Sequence, residues 1–156
     1  MTKILYLHGF ASSANSTKAL QLKKHILDSY SKTEIIIPDI ENNIVDAVQP
    51  INKLIEEFSP SALIGCSIGG FYATYFSEKY NLKCVGINPA VIPPAEMSEY
   101  LGENKNYSTG ENFVINQEQL DLLDRMGREI KVIKCPDNFM ILLQSYDEKL
   151  DYLGCH

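Results

Sequence analysis

The sequence predicts an α/β fold with a doubly wound, mostly parallel sheet of about five strands in the order 2-1-3-4-5. Two observations lead to this prediction. Short β-branched runs alternate with amphipathic helical patterns over the first two thirds of the chain, as in consecutive βαβ units. The runs Ile35–Ile37 and Met140–Leu143 are apolar at every position, which is typical of parallel strands covered by helices on both faces.

These patterns place each element along the chain. Strands are predicted at residues 3–7, 34–37, 61–66, 83–87 and 139–144, and helices at 16–30, 44–58, 68–80 and 117–125. Pro50 lies inside the second helical pattern, so that helix either kinks there or begins near Gln49. Residues 91–126 interrupt the alternation, and we predict a lid inserted into a single domain of residues 1–156.

Composition excludes several classes of protein. The 156 residues are 45% apolar and 22% charged, which is typical of one globular domain. A formal charge of −6 argues against nucleic-acid binding, because phosphate contacts need clustered Lys and Arg. Residues 1–30 do not match a signal peptide, and no apolar run is long enough to cross a membrane. The four cysteines lack CxxC spacing, which favours a cytoplasmic location and argues against zinc.

The strongest chemical signal is a G-x-S-x-G motif centred on Ser67. It runs from Gly65 to Gly69, directly after a predicted strand and directly before a predicted helix. Such a sharp turn projects a serine hydroxyl at the carboxyl end of the sheet, and the amide of Ile68 at the helix start can bind an oxyanion. The alternatives are a phosphate-binding turn, although no Lys follows the glycines, and Cys66 as the nucleophile.

A second signal is the segment His8-Gly9-Phe10 at the end of the first strand. An HG pair in this position supplies the other half of an oxyanion hole, with the amide of Phe10 as donor. By itself the segment favours an ordinary turn with a hydrogen-bonding histidine, but together with the Ser67 motif it favours the oxyanion role. The predicted strand order places the His8 loop beside the turn that carries Ser67.

A third signal follows the last predicted strand. Asp147 lies on a loop where a hydrolase carries the acid that orients its catalytic histidine, and Glu148 and Asp151 are substitutes. The alternative role for Asp147 is a helix N-cap. Four side chains of the lid could either line an acyl pocket or form the lid's own small core, namely Tyr100, Tyr107, Phe113 and Leu120.

The order of these motifs resembles the YqiA-like esterases, minimal α/β-hydrolases of bacteria. The matching segments are Tyr6–Phe10 with Ser12-Ser13, Ser67–Thr74, Asn88-Pro89-Ala90, Tyr100-Leu101-Gly102, Tyr107–Gly110, and Asp147-Glu148 with Leu150-Asp151-Tyr152. The resemblance implies hydrolysis of short-chain carboxylic esters by a serine nucleophile, without a metal or an organic cofactor. It also implies a structural role for His8, because the family's general base lies near the far end of the chain.

The same resemblance implies that the chain lacks its catalytic base. The family continues after Tyr152 with a helix, a strand and a loop that carries the catalytic histidine, whereas only four residues ending at His156 follow here. Loss of that histidine costs about 10⁶ in kcat in another serine hydrolase, so we expect impaired turnover. Without the final strand and helix, the run 139–143 is expected to form an exposed sheet edge through which copies self-associate.

Three interpretations therefore remain open. The first is a catalytically impaired serine esterase. The second is a non-catalytic module that binds a small molecule or a protein on a hydrolase fold. The third is a shortened version of an active enzyme. The first is the leading interpretation, and the Leu153-Gly154-Cys155-His156 ending slightly favours the third over the second.

Overall fold

The computed structural model describes residues 1–91 and 93–144. Its main sheet contains five parallel strands in the order β2-β1-β3-β4-β7, and a second, two-stranded antiparallel sheet is formed by β5 and β6. The strands are β1 Thr2–Leu7, β2 Thr33–Ile36, β3 Ala62–Cys66, β4 Lys83–Ile87, β5 Gly102–Lys105, β6 Asn112–Ile115 and β7 Phe139–Leu142. The α-helices are α1 Thr17–Ser29, α2 Ile44–Phe58, α3 Ile68–Tyr80, α4 Pro93–Met97 and α5 Gln117–Glu129.

The predicted strand order is confirmed, because the fifth predicted strand corresponds to β7. Between β4 and β7 the chain forms α4, a 3₁₀ turn at Ser98–Tyr100, the β5–β6 hairpin and α5. Only α5 was predicted from the sequence in this region. The sequence also predicts the beginning of a helix at residues 147–152, which lie outside the described residues.

Helix α2 resolves the alternative raised by Pro50. It begins at Ile44 rather than near Gln49, because the Oδ1 atom of Asn43 accepts hydrogen bonds from the amides of Val45 at 2.9 Å and Asp46 at 3.2 Å. Pro50 lies within the continuous helix, where it removes one backbone donor. Burial of the apolar face, including Ile51, offsets that loss.

The two faces of the sheet are covered by two hydrophobic clusters. Along β1, Leu5 and Leu7 belong to the larger cluster with α2 and α3, whereas Tyr6 belongs to the smaller cluster with α1. The larger cluster also contains Leu123 and other residues of β6 and α5. In the part of the chain that the structure describes, none of the helices is long and apolar enough to cross a membrane.

Strand β7 pairs with β4 and, among the described residues, with no other strand. The four apolar side chains from Met140 to Leu143, the last of which directly follows β7, are between 40% and 59% exposed. An edge of this kind presents unpaired backbone groups to another strand. Self-association through β7 therefore stays a prediction, with a second copy of the chain as the partner.

Ile141→Lys tests that prediction, because a lysine on an edge strand opposes pairing with another edge. We expect the wild-type chain to sediment as a concentration-dependent mixture of monomer and dimer, and Ile141→Lys as a monomer. Val132→Lys is the matched control, since Val132 is 75% exposed and lies outside the strand. A wild-type chain that stays monomeric at high concentration would contradict the prediction.

Candidate active site

Ser67 occupies a strained turn between β3 and α3. Its backbone has φ 54° and ψ −122°, a region that residues other than glycine rarely adopt. The strain arises where the strand turns directly into the helix. Because parallel strands end at the same edge of a sheet, Ser67 lies at the carboxyl ends of β1, β3 and β4.

Two glycines flank this turn because neighbouring backbone passes too close for a side chain. A Cβ atom at Gly65 would lie 2.1 Å from the carbonyl oxygen of Gly69. One at Gly69 would lie 2.2 Å from the carbonyl oxygen of Leu7. The G-x-S-x-G spacing is therefore a packing requirement of the turn as well as a sequence signature.

The turn is also tied to the loop after β4. The amide of Ser67 donates to the carbonyl of Ile87 at 3.1 Å, and the amide of Ala90 donates to the carbonyl of Ser67 at 3.0 Å. Asn88 joins this loop to β7, because its amide donates to the carbonyl of Leu142 at 2.8 Å. These bonds account for the Asn88-Pro89-Ala90 segment singled out in the sequence.

His8 orients the peptide that carries the predicted oxyanion donor. Its Nε2 atom accepts a hydrogen bond from the amide of Ile40 at 2.9 Å, so the ring proton is on Nδ1 and is donated to the carbonyl of Gly9 at 2.9 Å. The carbonyl of Gly9 and the amide of Phe10 belong to one trans peptide and point in opposite directions. By fixing the carbonyl, His8 fixes the direction of the Phe10 N–H.

The predicted oxyanion residues and Ser67 lie side by side. Strands β1 and β3 pair with Leu7 opposite Gly65, so the loop after β1 meets the turn after β3. A Cβ atom at Gly9 would lie 3.4 Å from the Cβ atom of Ser67. Ile68 is the first residue of α3, and the first amides of a helix have no partner within it. The loop that carries Phe10 and the start of α3 are therefore adjacent, and an oxyanion hole formed by the amides of Phe10 and Ile68 stays a prediction.

Neither histidine in the described ranges is placed to act as the base for Ser67. His8 is buried, both of its ring nitrogens are hydrogen bonded, and burial lowers its pKa. The bond to Gly9 and the charge of Asp39 offset that lowering only in part. His25 is exposed on α1, where it packs against Tyr30.

A cavity of about 230 Å³ opens beside Ser67. Its lining includes Gly9, Phe10, Ile68 and both tyrosines predicted for the substrate pocket, Tyr100 and Tyr107. The other two candidates lie elsewhere: Phe113 packs edge-on against Phe10 at 5.5 Å between ring centroids, and Leu120 is buried in the larger core cluster. Cys66 borders the cavity as well, while its side chain packs against the smaller cluster.

Burial raises the pKa of Tyr100, and the neighbouring charge of Glu99 raises it further. Sequence reasoning missed other residues of the cavity wall, notably Lys18, Glu96 and Met97. No local pattern pointed to them, because α1 and α4 bring them to the site only in the folded chain.

The predicted acid, Asp147, lies outside the described residues, as do its substitutes Glu148 and Asp151. A metal site has no support in residues 1–91 and 93–144, where no group of three or more His, Cys, Asp or Glu side chains is arranged to hold an ion.

Residues 3–154 match the model of a family described as an uncharacterised protein family, UPF0227. The chain belongs to this family. A UPF0227 protein of Pectobacterium atrosepticum is 26% identical over 95% of this chain and 77% of its own length. The resemblance to the YqiA-like family is thereby confirmed.

Solved structures similar to this UPF0227 chain share its α/β-hydrolase fold. The mouse alpha/beta hydrolase domain-containing protein 10 matches with a TM-score of 0.73 and 14% identity, over 98% of this chain and 72% of its own. An esterase domain from Rhodothermus marinus matches with a TM-score of 0.70 and 20% identity, over 99% and 69%. Est1E from Butyrivibrio proteoclasticus, solved with ferulic acid bound, matches with a TM-score of 0.69 and 12% identity, over 99% and 73%.

Proposed function

We propose that this UPF0227 chain is a serine hydrolase of short-chain carboxylic esters, with Ser67 as the nucleophile. The observation that carries the proposal is the strained Ser67 turn, which opens on a cavity bordered by the predicted oxyanion residues. The esterases among the structural neighbours support hydrolase chemistry on this fold.

In the proposed reaction, the Ser67 hydroxyl oxygen attacks the ester carbonyl carbon while a general base takes its proton. The carbonyl oxygen becomes an oxyanion that accepts hydrogen bonds from the amides of Phe10 and Ile68. The tetrahedral intermediate expels the alcohol, which receives the proton from the base, and water then releases the acid from Ser67. We assign Asp147 the role of orienting that base. No step requires a metal or an organic cofactor.

The cavity supports a small substrate. Its volume of about 230 Å³ is below the roughly 300–1,000 Å³ of pockets that enclose drug-sized ligands. Phe10, Met97 and Tyr100 give its wall an apolar character. A short acyl chain fits such a space.

We propose that turnover by the 156-residue chain is impaired because it lacks a histidine positioned as the general base for Ser67. Of its three histidines, His8 has both nitrogens engaged, His25 is exposed on α1, and His156 lies outside the described residues. Since a positioned base contributes typically 10²–10⁴ in rate, a base added from solution is expected to restore part of the activity.

Hydrolysis of 4-nitrophenyl acetate with and without imidazole tests both statements. We expect a slow Ser67-dependent rate that rises roughly tenfold or more in imidazole. Ser67→Ala, measured at the same imidazole concentrations, subtracts the hydrolysis that imidazole itself causes. A fast rate without imidazole would contradict the impairment, and the absence of any Ser67-dependent rate in either condition would contradict the esterase proposal.

A second candidate is a non-catalytic binding module, and the lack of a histidine facing Ser67 within the described ranges favours it. It predicts that ester analogues bind the cavity while imidazole has no effect. For either function we propose the cytoplasm as the location, supported by the thiols of Cys84 and Cys135, which form no disulfide among the described residues and suit a reducing compartment.

A further inference from the structure

The turn of the β5–β6 hairpin combines an anchored backbone with one exposed aromatic ring. This turn, residues 106–110, contains the Tyr107–Gly110 segment that the sequence comparison singled out and that the proposed chemistry leaves without a role. Asn106 is 2% exposed, whereas its neighbour Tyr107 is 83% exposed and borders the Ser67 cavity.

Asn106 fastens the turn to two other loops. Its Nδ2 atom donates to the carbonyl of Ser12 at 2.9 Å and to Oδ1 of Asn42 at 2.8 Å. Its Oδ1 atom accepts from the amides of Ser108 at 2.9 Å and Thr109 at 3.0 Å. One buried amide group therefore holds the turn, the loop after β1 and the loop after β2 together.

Two more contacts join this turn to the loop that carries Phe10. The amide of Tyr107 donates to the carbonyl of Ala11 at 3.1 Å, and the hydroxyls of Ser13 and Ser108 are hydrogen bonded at 2.5 Å. Tyr107 is thus hydrogen bonded to the residue that follows Phe10, the proposed oxyanion donor. Its backbone is fixed while its ring is left uncovered.

The ring of Tyr107 continues an aromatic wall. Tyr100 packs against Phe10 with 4.7 Å between ring centroids, and Phe10 packs against Phe113. Tyr107 and Tyr100 line the same cavity, and Tyr107 adds the smallest contribution to the raised pKa of Tyr100, after burial and Glu99. The wall is therefore half-buried at Phe10 and solvent-exposed at Tyr107.

We infer that Tyr107 is a specificity-determining contact and that the ester attacked by Ser67 carries a planar, aromatic group in its alcohol part. This inference rests on the proposed function. We assign the alcohol part to the exposed end of the cavity, from which it can leave without passing the acyl group held on Ser67. A planar group there stacks on the Tyr107 ring, which is worth roughly two- to tenfold in affinity over a non-planar group of equal size.

The test uses the absence of tryptophan from the chain. Tyr107→Trp introduces a single indole at the site, and Ser67→Ala in the same protein removes the nucleophile. Phenyl butyrate and cyclohexyl butyrate, which differ in the planarity of the ring, are titrated while indole emission is recorded. We expect a saturable emission change with a dissociation constant roughly two- to tenfold lower for phenyl butyrate.

Two controls separate local contact from general effects. Tyr30→Trp places an indole on an exposed tyrosine at the end of α1, outside the cavity, and its emission is expected not to respond. Asn106→Ala in the Tyr107→Trp background is expected to reduce the preference for phenyl butyrate toward parity. Asn52→Ala, in a separate network with Lys79 and Tyr80, is expected to leave the preference unchanged.

Each outcome decides the inference. Equal dissociation constants for the two esters, or binding by calorimetry without an emission change, would overturn it. No binding of either ester would overturn it as well. If Ser67-dependent, imidazole-stimulated hydrolysis is seen alongside any of these results, the failure concerns Tyr107 alone and leaves the proposed function standing.

Discussion

Gly69→Ala is expected to prevent folding or to lower the free energy of unfolding by about 3 kcal/mol or more. The added Cβ atom would lie 2.2 Å from the carbonyl oxygen of Leu7 and 2.4 Å from that of His8. Both are backbone atoms at the end of a central strand, so no side chain can rotate to make room. Relief would require β1 to separate from α3, which would expose the larger core cluster.

Urea denaturation measures the effect, and Gly127→Ala is the matched control. At Gly127, in the last turn of α5, the nearest atom to an added Cβ is Cε2 of Phe71 at 3.9 Å, which is an ordinary contact. Because alanine favours helix over glycine, this variant is expected to gain about 0.5–1 kcal/mol. Similar unfolding midpoints for the two variants would show that the turn can relax around a side chain.

His8→Ala is expected to lower the free energy of unfolding by about 2–4 kcal/mol. The substitution removes the acceptor for the Ile40 amide and the donor for the Gly9 carbonyl, and it leaves a void where a buried ring was. The free carbonyl would also release the Phe10 amide from its fixed direction. We therefore expect any Ser67-dependent ester hydrolysis to fall as well.

The pH dependence of stability gives His8→Ala a second readout. Burial lowers the pKa of His8 in the folded protein below the value of about 6.5 expected in the unfolded chain. As the pH falls, the unfolded chain binds the proton first. The contribution of neutral His8 is therefore complete above about pH 6.5 and is lost as the pH falls from there toward the folded-state pKa.

Unfolding free energies across this pH range, measured for the wild type and for His8→Ala, check the assignment. The wild type is expected to lose stability on acidification as neutral His8 becomes protonated. His8→Ala is expected to lack that part of the pH dependence. An equally steep loss of stability in His8→Ala would show that the titrating group is not His8.

The main sheet could be predicted because its strands carry their signal locally. A run such as Ile35–Ile37 is apolar at every position, so the sequence itself indicates a strand covered on both faces. The start of α2 could not be fixed, since Pro50 weakens the pattern and only the Asn43 cap decides the first residue. Hairpin β5–β6 was missed because its first strand, Gly102–Lys105, is polar and has no alternation to identify it.

The candidate site divides in the same way. Ser67 and the His8 segment could be predicted because each belongs to a short motif whose chemistry depends on adjacent residues. The anchoring role of Asn106 depends on Ser12 and Asn42, which are more than sixty residues away in the chain. Contacts between residues so far apart in the chain produce no periodic pattern in the sequence. Asp147 stays a prediction, as it lies outside the described residues.

Helix α5 has a consequence for engineering. Its buried side chains, among them Leu123 and Met126, belong to the same core cluster as β1 and α3. Gln119, fully buried, donates to the carbonyl of Val114 and accepts from the amide of Ile44, which fastens α5 to the start of α2. Residues 91–126, the predicted lid, therefore cannot be exchanged independently of the core. Transplanting residues 91–126 from a relative would exchange part of the interior along with the cavity wall, so we expect such a chimera to need matching changes in α2 to stay folded.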